Sequence, residues 1–232
     1  MSKQQDSTLK VIREFSRFAS SYQNYNIIQS QVAKYLVETL EKRSFHTLVD
    51  MGCGSGEVYK HINDASFDIA KYIAIDSSVE MLSLHPTKAY IEKRCANFNT
   101  TEAFTHIDLG KEDIFLSSSA LQWSENLDFT MASIADIAPV IHVALFTSNT
   151  FKTLHQYAKL SSPIYTEASI KEVVSKYYES TFELKTYRLY FDTTRELFRY
   201  IKRSGVSGGE KRLSFKESKV LLREYPLGLF RV

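Results

Sequence analysis

Residues 48–56 read Leu-Val-Asp-Met-Gly-Cys-Gly-Ser-Gly, an apolar run ending in a carboxylate and then Gly52, Gly54 and Gly56 at alternate positions. Glycines so spaced let a chain turn sharply and let a ligand approach the backbone without meeting a Cβ. The spacing is not the G-x-G-x-x-G of pyrophosphate-binding folds. No Lys-Ser or Lys-Thr pair follows, as a phosphate-clasping loop requires. Asp50, two residues before the first glycine, is poor company for a phosphate and suits a cationic amine. A surface turn with glycines for conformation alone is the plain alternative.

Asp76 stands 20 residues beyond Gly56, at the end of a second apolar run. An acid there can accept both hydroxyls of a ribose, or it can cap a helix starting at Ser78; one carboxylate can do both. Met81, one turn on, packs against an adenine ring or into the core. S-adenosylmethionine presents an ammonium and no phosphate, so Asp50 would complement its methionyl end.

The elements that must position these groups are read from periodicity. Apolar residues at helical spacing predict helices over residues 6–19 and 27–40, before any strand. The two helices are either a lid over the site or a helical layer on the sheet. Strands are predicted at residues 47–51, 72–75, weakly within 88–96, at 114–117 and at 140–147, the last an apolar run of the kind found mid-sheet. Helices at residues 57–62, from 80, and at 127–137 alternate with them, the last stopped by Pro139. Helices at residues 150–157 and 166–178 follow, then a loosely alternating strand at 182–190, a helix at 192–204 capped by Asp192 or Thr193, and a short helix at 214–223. The expected fold is α/β, a doubly wound, mostly parallel sheet of about six strands with N-terminal helices.

Composition excludes several classes. The 232 residues fit one α/β domain, and a 44% hydrophobic content supports a large core. Cys53 and Cys95 are too few for a disulfide framework, have no partner at metal-ligand spacing, and suit a reducing compartment. No metal site is expected. The polar N-terminus lacks a signal core, and no apolar run approaches a membrane span. A net charge of +2 implies no nucleic-acid partner. The expected location is cytoplasmic.

With turn, spacing and Asp76 combined, the chain resembles the class I S-adenosylmethionine-dependent methyltransferases along its whole length. That resemblance implies S-adenosyl-L-methionine as cofactor and S-adenosyl-L-homocysteine as product. It places Asp50, Gly52, Cys53, Gly54 and Gly56 at the methionyl end, and Asp76, Ser77 and Met81 at the ribose and adenine. Asn97-Phe98 fall where the family contacts adenine, with Asn97 in place of the usual aspartate; Ser118 follows the fourth strand.

Finer resemblance is to the malonyl-[acyl-carrier protein] O-methyltransferases of biotin synthesis. It rests on Phe15-Ser16-Arg17-Phe18-Ala19 with Tyr22, on Gln29, on Ser118-Ser119-Ala120-Leu121-Gln122-Trp123, on Phe146-Thr147-Ser148, on Ile201 to Val206, and on Glu224-Tyr225-Pro226-Leu227. In such enzymes residues 1–44 would form a helical cap and residues 45–232 the core, with a final strand only starting at Arg231-Val232. The acceptor would be the free carboxylate of a malonyl group on an acidic acyl-carrier protein; another small carboxylic acid or a phenol as acceptor, or a non-catalytic member of the fold, are the alternatives. That carboxylate is ionised at neutral pH, so no general base is needed. Tyr22, Gln122 and Trp123 are the expected orienting residues, with the phenol of Tyr22 bonded either to the methionyl carboxylate of the cofactor or to the acceptor. Arg17, His155, Arg199, Lys202 and Arg203 are the expected substrate and carrier contacts; Lys211, Arg212 and Lys216 extend that basic patch. His142, in an apolar strand, is expected to be a satisfied core residue.

Overall fold

The computed structural model describes residues 25–204, with Arg13, Ser16, Arg17, Glu217 and the pair Phe230–Arg231. Helix α1 (Ile27–Glu38) precedes β1 (Ser44–Met51). There follow α2 (Glu57–Asp64), β2 (Asp68–Asp76), α3 (Val79–Leu84) and β3 (Ile91–Cys95). Then come β4 (Ile114–Ser118), α4 (Leu127–Ala135), β5 (Ile141–Ala144), α5 (Lys152–Ala158) and α6 (Glu167–Val174). The described elements end with β6 (Arg188–Leu189), α7 (Thr194–Arg203) and β7 (Phe230–Arg231). Arg13, Ser16 and Arg17 of the expected first helix are helical, as is Glu217 of the expected last one.

β1 to β5 form one parallel sheet in the order β3-β2-β1-β4-β5. Side chains alternate between its faces because the strand period is two. Leu48, Tyr72 and Leu116 point to one face, where Ala33 and Val37 of α1 and Val58 and Ile62 of α2 cover them. Val49, Ile73, Ile75 and Phe115 point to the other, against Met131 and Ile134 of α4 and Ile170 and Val174 of α6. The sheet is thus doubly wound, as its alternating pattern predicts. A third cluster ties Ile28 of α1 to Leu154 of α5 and to Leu197, Tyr200 and Ile201 of α7.

Several boundaries differ from expectation for identifiable reasons. β5 is an edge strand among the described residues, bonded to β4 alone, and all its residues are half-buried. Its apolar character answers to the layers above and below it: Ile141 and Val143 pack on the core, and α1 lies near the strand. His142 is accordingly half-buried opposite Leu116 instead of deep in the core. The strand expected at residues 182–190 shrinks to Arg188–Leu189, since Phe182, Leu184 and Tyr190 are exposed and give it no buried face. It pairs antiparallel with Phe230–Arg231, in a ladder apart from the main sheet. Thr193 caps α7, its hydroxyl accepting from the N–H of Glu196 at 3.2 Å. Among the described residues no helix is long and apolar enough to cross a membrane.

Candidate functional site

Strand order reverses at β1, whose neighbours β2 and β4 lead their chains away to opposite sides. A crevice must open at the carboxyl ends of the strands there. A pocket of about 870 Å³, its open mouth included, lies at that place. Its walls are Gly52 to Ser55 after β1, Asp76 to Ser78 after β2, Asn97 to Asn99 after β3, and Ser118 to Ala120 with Trp123 after β4. Gln29 of α1, Glu57 and Val58 of α2, and Met81 of α3 complete it.

The glycine loop is fastened to its neighbours on both sides. The N–H groups of Gly52 and Cys53 donate to the carbonyl of Ile75 at 2.7 and 3.0 Å. Gly52 has φ +74°, and a Cβ there would fall 2.2 Å from the Cβ of Ala120. Only glycine permits that approach of the loop to the turn after β4. Gly56, at φ +97°, is pressed instead against Pro86 and His85, behind the pocket wall. Cys53 lines the pocket, and burial pushes its thiol well above the ordinary range, so it stays neutral.

Asp76 is the acid that joins the glycine loop to the turn after β2. Its Oδ2 accepts from the N–H of Gly54 at 2.9 Å and its Oδ1 from the N–H of Ser78 at 2.8 Å. Burial raises its pKa, while the N–H groups of Ser78, Gly54 and Ser77 pull it down. Each oxygen keeps a further lone pair for a ligand hydroxyl. The cap of α3 is Ser78, whose hydroxyl accepts from the N–H of Met81 at 3.1 Å. Ser78 also meets Ser16, hydroxyl to hydroxyl at 2.9 Å, which brings Ser16 to the pocket rim.

The structure brings Gly52, Cys53, Gly54, Asp76, Ser77, Met81, Asn97, Phe98, Ser118 and Trp123 of the expected residues together on these walls. It does not bring Asp50 there. That side chain is wholly buried beneath the loop, accepting from the hydroxyl of Tyr72 at 2.7 Å, and burial lifts its pKa to about 7. Gln122 is likewise buried away from the wall, where its Nε2 donates to the carbonyl of Ser119 at 2.7 Å. It braces the turn after β4; only its neighbour Trp123 reaches the pocket.

Tyr22 lies outside the described residues, as do Lys211, Arg212 and Lys216. Arg17 and Arg199 are exposed, and His155 is half-buried on α5; none of the three lines the pocket. Lys202 belongs to α7. Arg203 is held by Tyr25, donating to its hydroxyl at 2.8 Å and lying over its ring.

Sequence reasoning missed Glu57, Asn99 and Ser119 as wall residues, and named Gln29 without a role. Glu57 reads as an ordinary acid at a helix N-terminus, where the dipole favours it. Asn99 uses its Oδ1 for the N–H of Glu125 at 2.8 Å, leaving Nδ2 buried at the wall without a partner. Asn97 accepts from the N–H of Asn99 through its Oδ1 at 3.0 Å and so shapes the turn. No Lys or Arg lines the pocket among the described residues. The carboxylates of Asp76 and Glu57 on these walls suit a ligand bearing hydroxyls and an amine better than a phosphate.

Residues 49–138 match a family model described as a methyltransferase domain. The chain is 21% identical over 220 residues to the malonyl-[acyl-carrier protein] O-methyltransferase of Bacillus cytotoxicus, covering 86% of this chain and 76% of that one. It is 27% identical over 236 residues to the enzyme of the same name from Chlorobium phaeovibrioides, covering 94% and 87%. The plantazolicin methyltransferase BpumL, solved with S-adenosylhomocysteine, superposes with a TM-score of 0.51 at 13% identity, covering 92% of this chain and 96% of that one. The fold is that of the class I S-adenosylmethionine-dependent methyltransferases.

Proposed function

We propose that this protein transfers a methyl group from S-adenosylmethionine to the free carboxylate of a malonyl group carried on an acyl-carrier protein, a step of biotin precursor synthesis. The observation that carries methyl transfer is Asp76, presented at the crevice by the N–H groups of Gly54 and Ser78 in a pocket that no Lys or Arg lines among the described residues. The choice of acceptor is supported by the names of relatives that align over most of this chain.

S-adenosylmethionine brings an electrophilic methyl group on a sulfonium. The protein's task is to hold donor and acceptor in line and to keep water out. In this reading Asp76 holds the ribose hydroxyls, while Phe98 and Met81 wall the adenine. Trp123 shields the acceptor side. A malonyl carboxylate arrives as an oxyanion, so no side chain has to remove a proton. Residues 1–44 act as a cap; the Ser16–Ser78 contact at the rim supports that role.

Incubation with methyl-labelled S-adenosylmethionine and either malonyl-carrier protein or malonyl-CoA tests this. Base-labile label on the malonyl group, formed faster on the carrier, is the expected result. Binding of the cofactor with no transfer to either acceptor would overturn the acceptor assignment.

A further inference from the structure

Ser117, Ser118 and Ser119 close β4 and begin the turn after it. The hydroxyl of Ser117 is committed, donating to the carbonyl of Met51 at 2.7 Å inside the sheet. The hydroxyl oxygens of Ser118 and Ser119 are buried and have no hydrogen-bond partner among the described residues, and both residues line the pocket. No bond holds either hydroxyl in one rotamer, so each can turn about χ1 to meet a ligand.

Ser119 is also held under strain. Its φ is +59°, a left-handed conformation that costs a residue bearing a Cβ and that glycine adopts freely. Its N–H donates to the carbonyl of Ala144 on β5 at 2.8 Å, and its own carbonyl accepts from Nε2 of Gln122 at 2.7 Å. β5 and the buried glutamine thus fix a side chain at the pocket wall where glycine would sit more easily. Strain that neighbours over-determine in this way points to a function for the side chain it presents.

The pair stands apart from the acid of the crevice. β2 and β4 flank β1, so the end of β4 lies two strand spacings, about 10 Å, from the end of β2 where Asp76 sits. A carboxylate brought to the serines is spared the closest approach to that acid. No Lys or Arg lines the pocket among the described residues, so neutral hydroxyl donors would hold such an anion. That suits a nucleophile. Hydroxyls can bond one carboxylate oxygen and leave the lone pairs of the other free, whereas a bidentate guanidinium occupies both.

We infer that the hydroxyls of Ser118 and Ser119 are the donors that hold the free carboxylate of the acceptor, bonding one oxygen and leaving the other for the methyl group. A lone pair of that second oxygen forms the O–CH3 bond as the S–CH3 bond breaks and its electron pair passes to sulfur; no proton moves. The two hydroxyls thereby select an acyl group with a terminal carboxylate over one without it. This rests on the acceptor reading above.

Calorimetric titration of the protein, saturated with S-adenosylhomocysteine, with acyl-carrier protein bearing a malonyl or an acetyl group isolates the carboxylate, since the two loads differ only there. The wild type is expected to bind the malonyl form more tightly. Ser118→Ala removes one hydroxyl; Ser119→Gly removes the other and relieves its backbone. Each should weaken the malonyl form about tenfold, as loss of a hydrogen bond to a charged group does, and leave the acetyl form within about twofold. Equal weakening of both forms in the two variants, or unchanged binding of the malonyl form in both, would overturn the subsite. So would a wild type that methylates malonyl-carrier protein yet binds the two forms equally. A wild type that binds S-adenosylhomocysteine but neither prefers nor methylates malonyl-carrier protein would instead overturn the acceptor reading itself.

Discussion

The hydroxyl of Tyr72 donates to Oδ2 of Asp50 at 2.7 Å, and both side chains are wholly buried under the glycine loop. Tyr72 reaches Asp50 from the adjacent strand, on the sheet face shared with α1 and α2. The other carboxylate oxygen has no partner among the described residues. A charge in that position is poorly solvated, so the folded protein favours the protonated acid, with a pKa lifted from 3.8 to about 7.

The stability consequence has a definite sign. A folded-state pKa above the unfolded one means that the native state binds the proton more tightly. Asp50 therefore contributes stability that is full below its unfolded pKa and is lost as pH rises through about 7. Chemical denaturation across this range should show falling stability, and Asp50→Asn should flatten that slope. Tyr72→Phe removes the one bond that lowers this pKa. It should shift the decline to higher pH and cost about 1–3 kcal/mol at high pH, where the ionised oxygen loses its donor. An unchanged slope in Asp50→Asn would assign the pH dependence to other groups.

Asp76 joins two segments that a ligand must also meet. Asp76→Ala strands the N–H groups of Gly54 and Ser78 and deletes the proposed ribose acceptor. Affinity for S-adenosylhomocysteine should fall by about a hundredfold, the sum of two lost charged hydrogen bonds and a loosened loop. Asp76→Asn keeps acceptors on one side only and should fall between. Titration calorimetry reads both; wild-type affinity in Asp76→Ala would remove this carboxylate from the site.

Gly52→Ala tests the loop's fit to the turn after β4. The new Cβ would fall 2.2 Å from that of Ala120, at a φ of +74°. Backbone strain and the forced separation should cost about 1–3 kcal/mol each. A lowered melting temperature together with lost cofactor binding is expected. The companion Ala120→Gly should restore part of the binding, since it removes the atom met; no restoration would place the damage in the backbone conformation alone.

Local signals carried the central part of the site. Strand period, alternate glycines and an acid ending the next strand are written within residues 48–76, and the structure sets Gly52, Gly54 and Asp76 on the walls of one crevice. What stayed hidden depends on partners distant in the chain. Asp50 reads as an open acid because its cover, Tyr72, lies 22 residues away on the next strand. Gln29 meets Ser204 across 175 residues, so nothing near it marks a pocket wall. The apolar run of β5 would look the same at the centre of the sheet as at its edge, because covering helices and flanking strands demand the same side chains.

The proposed carrier contact is the last matter that side-chain placement sharpens. Charge steering requires cations free to face an acidic partner. Arg199 is exposed on α7, whereas Arg203 is occupied by Tyr25. Reversal at the two sites should therefore separate docking from structure. Arg199→Glu should raise the KM for malonyl-carrier protein about three- to tenfold at low salt, with kcat and the KM for malonyl-CoA little changed. The effect should fade as salt screens the pair beyond about 10 Å at 0.1 M. Arg203→Glu should lower the melting temperature and impair both acceptors alike, because it breaks the packing of α7 on Tyr25 beside α1. Steady-state kinetics with both acceptors, at low and high salt, decides it. A carrier KM unmoved by Arg199→Glu would take this end of α7 out of the docking surface.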